Sequence, residues 1–343
     1  MNDQLFKIRE SGKYGFMDVE GDVIIEPQYY QAEDFHNGFA RVKIFDTVVL
    51  LDVLGRPMLK NVFHFVGQME EGLARAQLVH LWGYIDSRGN WVIDPQFEEA
   101  DDFSGGMAAA RFNGKVGFIN RTGDFIIKPK FDAAGKFNNG LAAVQIGEQW
   151  GYINNKGKTV VEPQYDSCDV FQGDVGVVTL DGMWGLVHKS GQVSAPPQYP
   201  VKEGVSDGRF YEGLAAVIID DKYGYIDATG EVLIKPVFDY AGEFHNGLAP
   251  FRYKDKFGYM TIAAQLQIQP QFDDAQFFSN GLGAVRLQGQ WLYIDVEGDI
   301  LVEPRYLDRV SPFKNGLALI EKKGLWAYID MEGKVVWVES DWE

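Results

Sequence analysis

Carboxylates recur along the chain in a pattern that could hold a metal. Asp18, Asp52, Asp86, Asp227, Asp295 and Asp330 each close a short apolar run, and Asn120 and Asn154 stand in the same phase. A ring of such oxygens suits Ca²⁺, a hard cation that prefers oxygen ligands. Against that reading, the alternation of Asp with Gly found in calcium repeats is missing, and His188 takes the Asp place without disturbing the phase. Each Asp instead begins an Asp-x-x-Gly or a close variant, where its side chain caps a turn. The histidines, at 36, 64, 80, 188 and 245, show no zinc spacing. Cys168 stands where other copies of the same loop carry Ala100, Ala134, Ala241 and Ala275, so it reads as a small core residue and not a nucleophile. No Gly-x-Ser-x-Gly, phosphate loop or dinucleotide fingerprint occurs. The expectation is no catalytic residue, no metal and no cofactor.

Binding is the remaining chemistry. Aromatic residues make up 14% of the chain, and exposed Trp or Tyr can stack on sugars or cations. Their regular recurrence favours core packing, and Trp82 and Trp150 are expected to be largely buried. The clearest candidate surface is "YPVKEGVSDGRF" (199–210), which carries five residues more than the corresponding loops. Insertions in repeats map to loops on one face, often the binding face. Tyr199, Lys202, Glu203 and Arg209 are the candidate binding residues. Lys202 and Arg209 stand out as local positive points for an acidic or mixed-charge partner. Gly204 and Gly208 let the loop project, and the adjoining strand around Tyr211–Val217 belongs to the same surface. Tolerated drift of the loop is the competing account.

The chain has 343 residues, 32 Lys and Arg against 49 Asp and Glu, and a net charge of −17. A polyanion would be repelled and no basic stripe offsets this, so nucleic acid is not an expected partner. The start "MNDQLFKIRESGKYG" has no basic segment followed by an apolar one, and no long apolar run follows. The single cysteine excludes an internal disulfide and fits a reducing compartment. A cytoplasmic protein without membrane insertion is expected.

The elements that carry these residues are set by a repeat. Tyr14-Gly15-Phe16, Trp82-Gly83-Tyr84, Trp150-Gly151-Tyr152, Tyr223-Gly224-Tyr225 and Phe257-Gly258-Tyr259 share one anchor. Weaker copies start at 48, 116, 184, 291 and 326, so the step is 34 residues except for one of 39 and one of 35. Two other anchors keep the phase. Pro-x-aromatic recurs from Pro27-x-Tyr29 to Pro304-x-Tyr306, and Phe-x-x-Gly-Leu-Ala or a variant recurs at Gly38, Gly72, Gly106, Gly140, Gly213, Gly247, Gly281 and Gly316.

Each unit reads as antiparallel β. "GLAAVQI" (140–146), "WGYIN" (150–154) and "TVVEP" (159–163) alternate as strands do, and Asp-x-x-Gly closes the second hairpin. The dozen residues after Pro-x-aromatic hold either a short fourth strand or an irregular crossover. The anchor glycine leaves one strand face bare, so a neighbouring ring or backbone can approach. Units this small share cores with their neighbours.

Trp-Gly-Tyr-Ile-Asp, then Gly, then Val-Ile-x-Pro-x-Tyr-Asp, then Phe-x-x-Gly-Leu-Ala resembles the bacterial WG-repeat (KWG) proteins over nearly the whole chain. The second unit departs from the pattern, with Val48-Val49 for Trp-Gly and Asn61 for proline; "FQGDVG" (171–176) and "TIAAQ" (261–265) are other degenerate copies. The resemblance implies an all-β repeat array used as an interaction module. The whole chain, 1–343, is expected to be one array of ten units. Because it starts at a first-type strand (Leu5–Arg9) and ends just after a third-type one (Val335–Val338), an open curved β-superhelix or solenoid is expected, with a closed ten-unit propeller-like ring as the alternative. The expected function is a non-catalytic scaffold that binds another protein; the alternative is small-molecule or glycan binding in aromatic grooves between repeats.

Overall fold

The computed structural model describes residues 5–45, 47–57, 63–202, 207–303, 307–340 and 342. Among them no helix occurs, and the strands form ten small antiparallel sheets. We call these blades 1 to 10: Phe6–Tyr29, Gln31–Asp52, Phe65–Phe97, Glu99–Phe131, Ala133–Tyr165, Ser167–Pro200, Phe210–Phe238, Tyr240–Phe272, Asp274–Val302 and Arg309–Val338.

Blade 5 shows the plan. A two-residue strand, Ala133–Ala134, pairs with Leu141–Ile146, which pairs with Gln149–Asn154, which pairs with Thr159–Tyr165. The open question of the crossover is thus settled as a short fourth strand. The loop behind it turns on Asn139 and Gly140, with φ of 49° and 81°, the left-handed pair that a tight hairpin turn needs. The recurrent Asp is a turn cap: Asp86 Oδ1 accepts the backbone N–H of Arg88 and Asn90, at 2.8 and 2.9 Å. Asn154 does the same for Lys156 and Lys158, and His188 Nδ1 accepts from Ser190, which explains why these types interchange.

The anchor glycine is required by its own blade. Trp150 faces Tyr165 and Tyr152 faces Val161, so the last strand bulges around Pro163. A Cβ on Gly151 would lie 2.3 Å from Val161 O and 2.7 Å from Pro163 N. Gly15, Gly83, Gly117, Gly185, Gly224 and Gly258 meet the same backbone. In blade 10, where Ala327 stands for the glycine, the proline position is taken by Glu339.

The cores lie between blades. The phenylalanine of Phe-x-x-Gly leaves its own blade and meets the second anchor aromatic of the blade before it. Phe16–Phe35, Tyr84–Phe103, Phe118–Phe137, Tyr152–Phe171, Tyr225–Phe244, Tyr259–Phe278 and Tyr293–Phe313 all stand at 4.6 to 4.9 Å between ring centres. The tyrosine hydroxyl then donates across the junction to a backbone carbonyl, as Tyr152 does to Asp169 O at 2.6 Å and Tyr225 to Gly242 O at 2.7 Å. Burial of that hydroxyl pushes the phenol pKa well up in each case. One expectation is corrected here. Trp82 and Trp150 are only partly buried, whereas Tyr84 and Tyr152 are wholly buried; in blade 6 the first position is wholly buried as well, as Trp184 against Ala215, Val217 and Ile226 of blade 7.

The open solenoid is also corrected. Phe6, Ile8 and Met17 of blade 1 share a core with Leu317 and Tyr328 of blade 10. Tyr328 donates to Lys7 O at 2.9 Å, repeating the bond from Tyr152 to Val177 O one blade apart. Arg9 forks onto Glu339, with Nε–Oε1 3.0 Å and Nη2–Oε2 2.9 Å, and its guanidinium lies 4.6 Å from the Trp326 ring. The ten blades therefore close into a propeller ring. No exchanged strand is needed, since the junction between blades is made by side chains everywhere else too.

Candidate functional site

The loops between each two-residue strand and its partner form the inner rim, and this is where the blades differ. In blades 2 to 4 the rim is charged, and much of its charge is paired, although Gln68 Oε1, Arg75 Nε and Asp102 Oδ1 are buried without a hydrogen bond. Arg41 pairs with Glu33 and donates to Val66 O at 3.0 Å, and Gln68 donates to Glu33 at 2.6 Å. Arg75 donates to Ala100 O at 3.0 Å and lies 3.5 and 3.0 Å from Asp101 and Asp102. Burial raises the pKa of both carboxyls, and Arg75 works against that rise.

The other side of the rim is apolar. A hollow of about 440 Å³ runs over blades 7 to 10, and one of about 530 Å³ over blades 9, 10, 1 and 2. They share Phe277 and Pro312, so they form one groove. Tyr211, His245 and Phe277 make an aromatic row in this region, with ring centres 5.3 and 4.3 Å apart. Polar groups mark its edges. Arg209 faces Asp207 at 3.3 Å, and His245 Nε2 lies 3.1 Å from Glu243. Burial first, then the bond to Glu243, raises the Tyr211 phenol. At the other end Asp34 lies 3.4 Å from Lys7 and 3.7 Å from Lys314.

The candidate residues divide. Tyr199 is buried and tilted against Trp184 at 4.9 Å, so it is core, as its place in the Pro-x-aromatic anchor explains. Lys202 is exposed, with its ammonium 5.5 Å from the Tyr223 ring. Glu203 and Gly204 lie outside the described residues. Arg209 lines the smaller hollow together with Asp207, Tyr211, Leu214 and Ala216, which joins the end of the insertion to the strand after it. The sequence reading missed Phe277, Pro312, Lys7, Asp34 and Lys314. A signal existed. The residue before the inter-blade phenylalanine is Asp34, Asp102, Lys136 or Glu243 in several blades but Val170, Phe277 or Pro312 in others, and an apolar residue in a column charged elsewhere asks for a reason.

Residues 14–44, 82–115, 117–150, 150–184, 184–223, 223–257, 258–291 and 293–326 match the model of the WG containing repeat. The chain belongs to the WG containing repeat family. A search of curated proteins gave no match. Among solved structures, a eukaryotic initiation factor aligns over 98% of this chain and 95% of its own, at 12% identity and a TM-score of 0.53. This likeness supports the closed ring and shows the fold alone. The dihydro-heme d1 dehydrogenase NirN aligns over 98% of this chain and 73% of its own, at 12% identity and a TM-score of 0.44. The C-terminal WD40 domain of Sif2 aligns over 76% and 92%, at 10% identity and a TM-score of 0.39.

Chemically, this WG-repeat ring offers a contact surface. Among the described residues no group of three His, Cys, Asp or Glu side chains stands together as a metal site. Burial pushes the Cys168 thiol up to about 12, so it is protonated at neutral pH. The paired titratable groups of the groove are engaged with one another.

Proposed function

We propose that the protein is a non-catalytic scaffold that holds another protein along the apolar side of its inner rim, in a reducing, cytoplasmic setting. The observation that supports this is the groove itself, an aromatic row edged by paired charges on one side of a ring whose blades 2 to 4 carry a charged rim. Interfaces of this make-up combine aromatic anchors with a polar rim. The insertion ends in the groove through Arg209, which orients a mixed-charge partner. Replacing Tyr211 by Ser and Arg209 by Glu together is expected to lower capture of the partner from extract at least about tenfold, the scale of a lost anchor, while the melting temperature stays within a few degrees. Unchanged capture overturns this reading.

A second reading rests on the hollow volumes, about 440 and 530 Å³, which lie in the range of small-ligand pockets. A ligand screen followed by thermal shift tests it, because a bound molecule stabilises the folded state by an amount that grows with the logarithm of its concentration over Kd.

A further inference from the structure

We infer that the groove holds an arginine side chain of its protein partner at the junction between blades 8 and 9, which rests on the scaffold reading and names the partner's chemistry at one place.

In blade 3 the protein fills the same place with an arginine of its own. Arg75 stands opposite the second anchor aromatic, Tyr84. Its guanidinium lies 5.6 Å from the Phe65 ring and 5.5 Å from the Trp82 ring, and those two rings meet edge to face at 5.3 Å. It donates to Ala100 O of the next blade at 3.0 Å and is paired there with Asp101 and Asp102. Gly67 leaves the room, since a Cβ on it would lie 2.7 Å from Arg75 Cγ.

Blade 8 keeps this socket and lacks its cation. Pro250 stands opposite Tyr259, in the position of Arg75. Tyr240 and Phe257 take the places of Phe65 and Trp82 and again meet edge to face, at 5.7 Å. Gly242 takes the place of Gly67, under the Pro250 ring. On blade 9, Ala275 and Gln276 stand where Ala100 and Asp101 stand on blade 4. Gln276 spends its Nε2 on Val310 O at 3.2 Å, and its Oε1 is buried with no hydrogen bond. A buried acceptor without a donor costs free energy, so this oxygen calls for one. The hollow of about 440 Å³ opens beside Tyr240, Pro250, Ala275 and Gln276. Phe277, in the place of Asp102, sets its ring on His245 at 4.3 Å and leaves this wall apolar.

Charge selects the occupant. The hollow is lined by Asp207 and Glu243 against one cation among the described residues, Arg209, and that cation faces Asp207 at 3.3 Å. The whole chain carries −17. A cationic side chain is therefore drawn in. A guanidinium suits the place better than an ammonium, because it is planar, lies against rings, and sends separate N–H groups to the Gln276 oxygen and to the Ala275 carbonyl. Phe277 and Pro312 then meet apolar neighbours of the arginine on the partner segment.

The probe is a labelled peptide Leu-Gly-Arg-Gly-Leu, titrated into the full chain by fluorescence anisotropy. Saturable binding that weakens as salt rises is expected. Citrulline in place of its arginine keeps the shape and removes the charge, and should raise Kd at least about tenfold. Gln276→Glu gives the site the carboxylate that Asp101 gives Arg75, and should tighten binding several-fold. Pro250→Arg supplies the cation from within, as Arg75 does, and should abolish binding. No saturable binding, equal binding of the citrulline peptide, or an unchanged Kd with Gln276→Glu overturns the inference. A folded Pro250→Arg variant that binds like the parent also overturns it. N-acetyl-arginine amide binding as tightly as the peptide overturns it too, and gives the place to a small guanidinium. If the peptide fails to bind while the Tyr211→Ser, Arg209→Glu variant loses partner capture, the scaffold reading stands and this one falls.

Discussion

The junction between blades 5 and 6 and the junction between blades 10 and 1 solve the same problem with different materials. In the first, Phe171 packs on Tyr152 at 4.7 Å and the tyrosine hydroxyl reaches both Asp169 O and Val177 O, so the contact is dry and locally determined. In the second, Tyr328 keeps the bond to Lys7 O, Phe6 stands farther off, and a charged clasp of Arg9 and Glu339 sits where other blades have proline. Glu339 is 6% exposed and also accepts the N–H of Trp326 at 3.0 Å, so its charge is met from two sides. Charged contacts cross internal junctions too, as those of Arg75 of blade 3 to Asp101 and Asp102 of blade 4 do; the closing pair differs in joining residues 330 positions apart.

The largest expected effect is on the apolar side of that contrast. Phe171→Ala should cost about 3–5 kcal/mol, the range for a buried large aromatic, against about half that for Phe6→Ala. Denaturant unfolding of the two variants ranks them; equal losses would mean that the seam is packed like the rest.

Arg9→Ala leaves a buried carboxylate without its fork and should cost about 1.5–3 kcal/mol, the worth of hydrogen bonds to a charged group. A cycle with Glu339→Gln isolates the pair, and additivity of the two losses would show that the clasp contributes nothing.

The glycine argument yields a third comparison. Gly151→Ala drives a methyl into the Pro163 bulge and should cost about 1–3 kcal/mol. Ala327→Gly, opposite Glu339, should change stability by about 1 kcal/mol or less. Similar melting midpoints for both would remove the bulge as the reason for the anchor glycine.

The smallest effect lies in the turns. Burial opposes ionisation of Asp227, but bonds from the Thr229 hydroxyl and from the N–H groups of Glu231, Thr229 and Gly230 outweigh it, and its pKa is lowered. A lowered folded pKa gives stability that is complete above the unfolded value of about 3.9 and is lost as pH falls through the folded one. Asp227→Asn keeps the cap, as Asn154 shows, so it should melt with the parent within about 0.5 kcal/mol at neutral pH and show a shallower loss in acid. Parallel acid curves would dismiss the cap as a titrating group.

Much of this was legible in the sequence. The repeat phase located every blade, the glycine between two aromatics announced a close backbone, and Asp-x-x-Gly announced a capped turn. Closure was not legible. It depends on a small rotation summed over ten units, and no single residue encodes that sum. Its local marks, Arg9 and Glu339, lie far apart in sequence, and only the loss of proline at position 339 hinted at a second role. The tryptophans misled in degree: their recurrence suggested full burial, but Tyr152 is wholly buried and Trp150 only partly. The insertion drew attention to Tyr199, although its phase assigned it to the core, and away from Phe277 and Pro312, which are visible only as apolar substitutions within an otherwise polar column.

Every tyrosine that crosses a junction points the same way, from one blade into the next, and Tyr328 continues the series into the first. The contacts are thus head to tail, a type that makes rings when the rotation closes and filaments when it does not. A chain opened at its seam would present a donor end and an acceptor end that fit any other copy. Within one chain the two ends are tethered, which holds them at an effective concentration on the order of millimolar and favours closure. The Arg9–Glu339 pair therefore serves as an end-recognition device, and weakening it should convert the protein, as its concentration rises, from closed circles into linked chains.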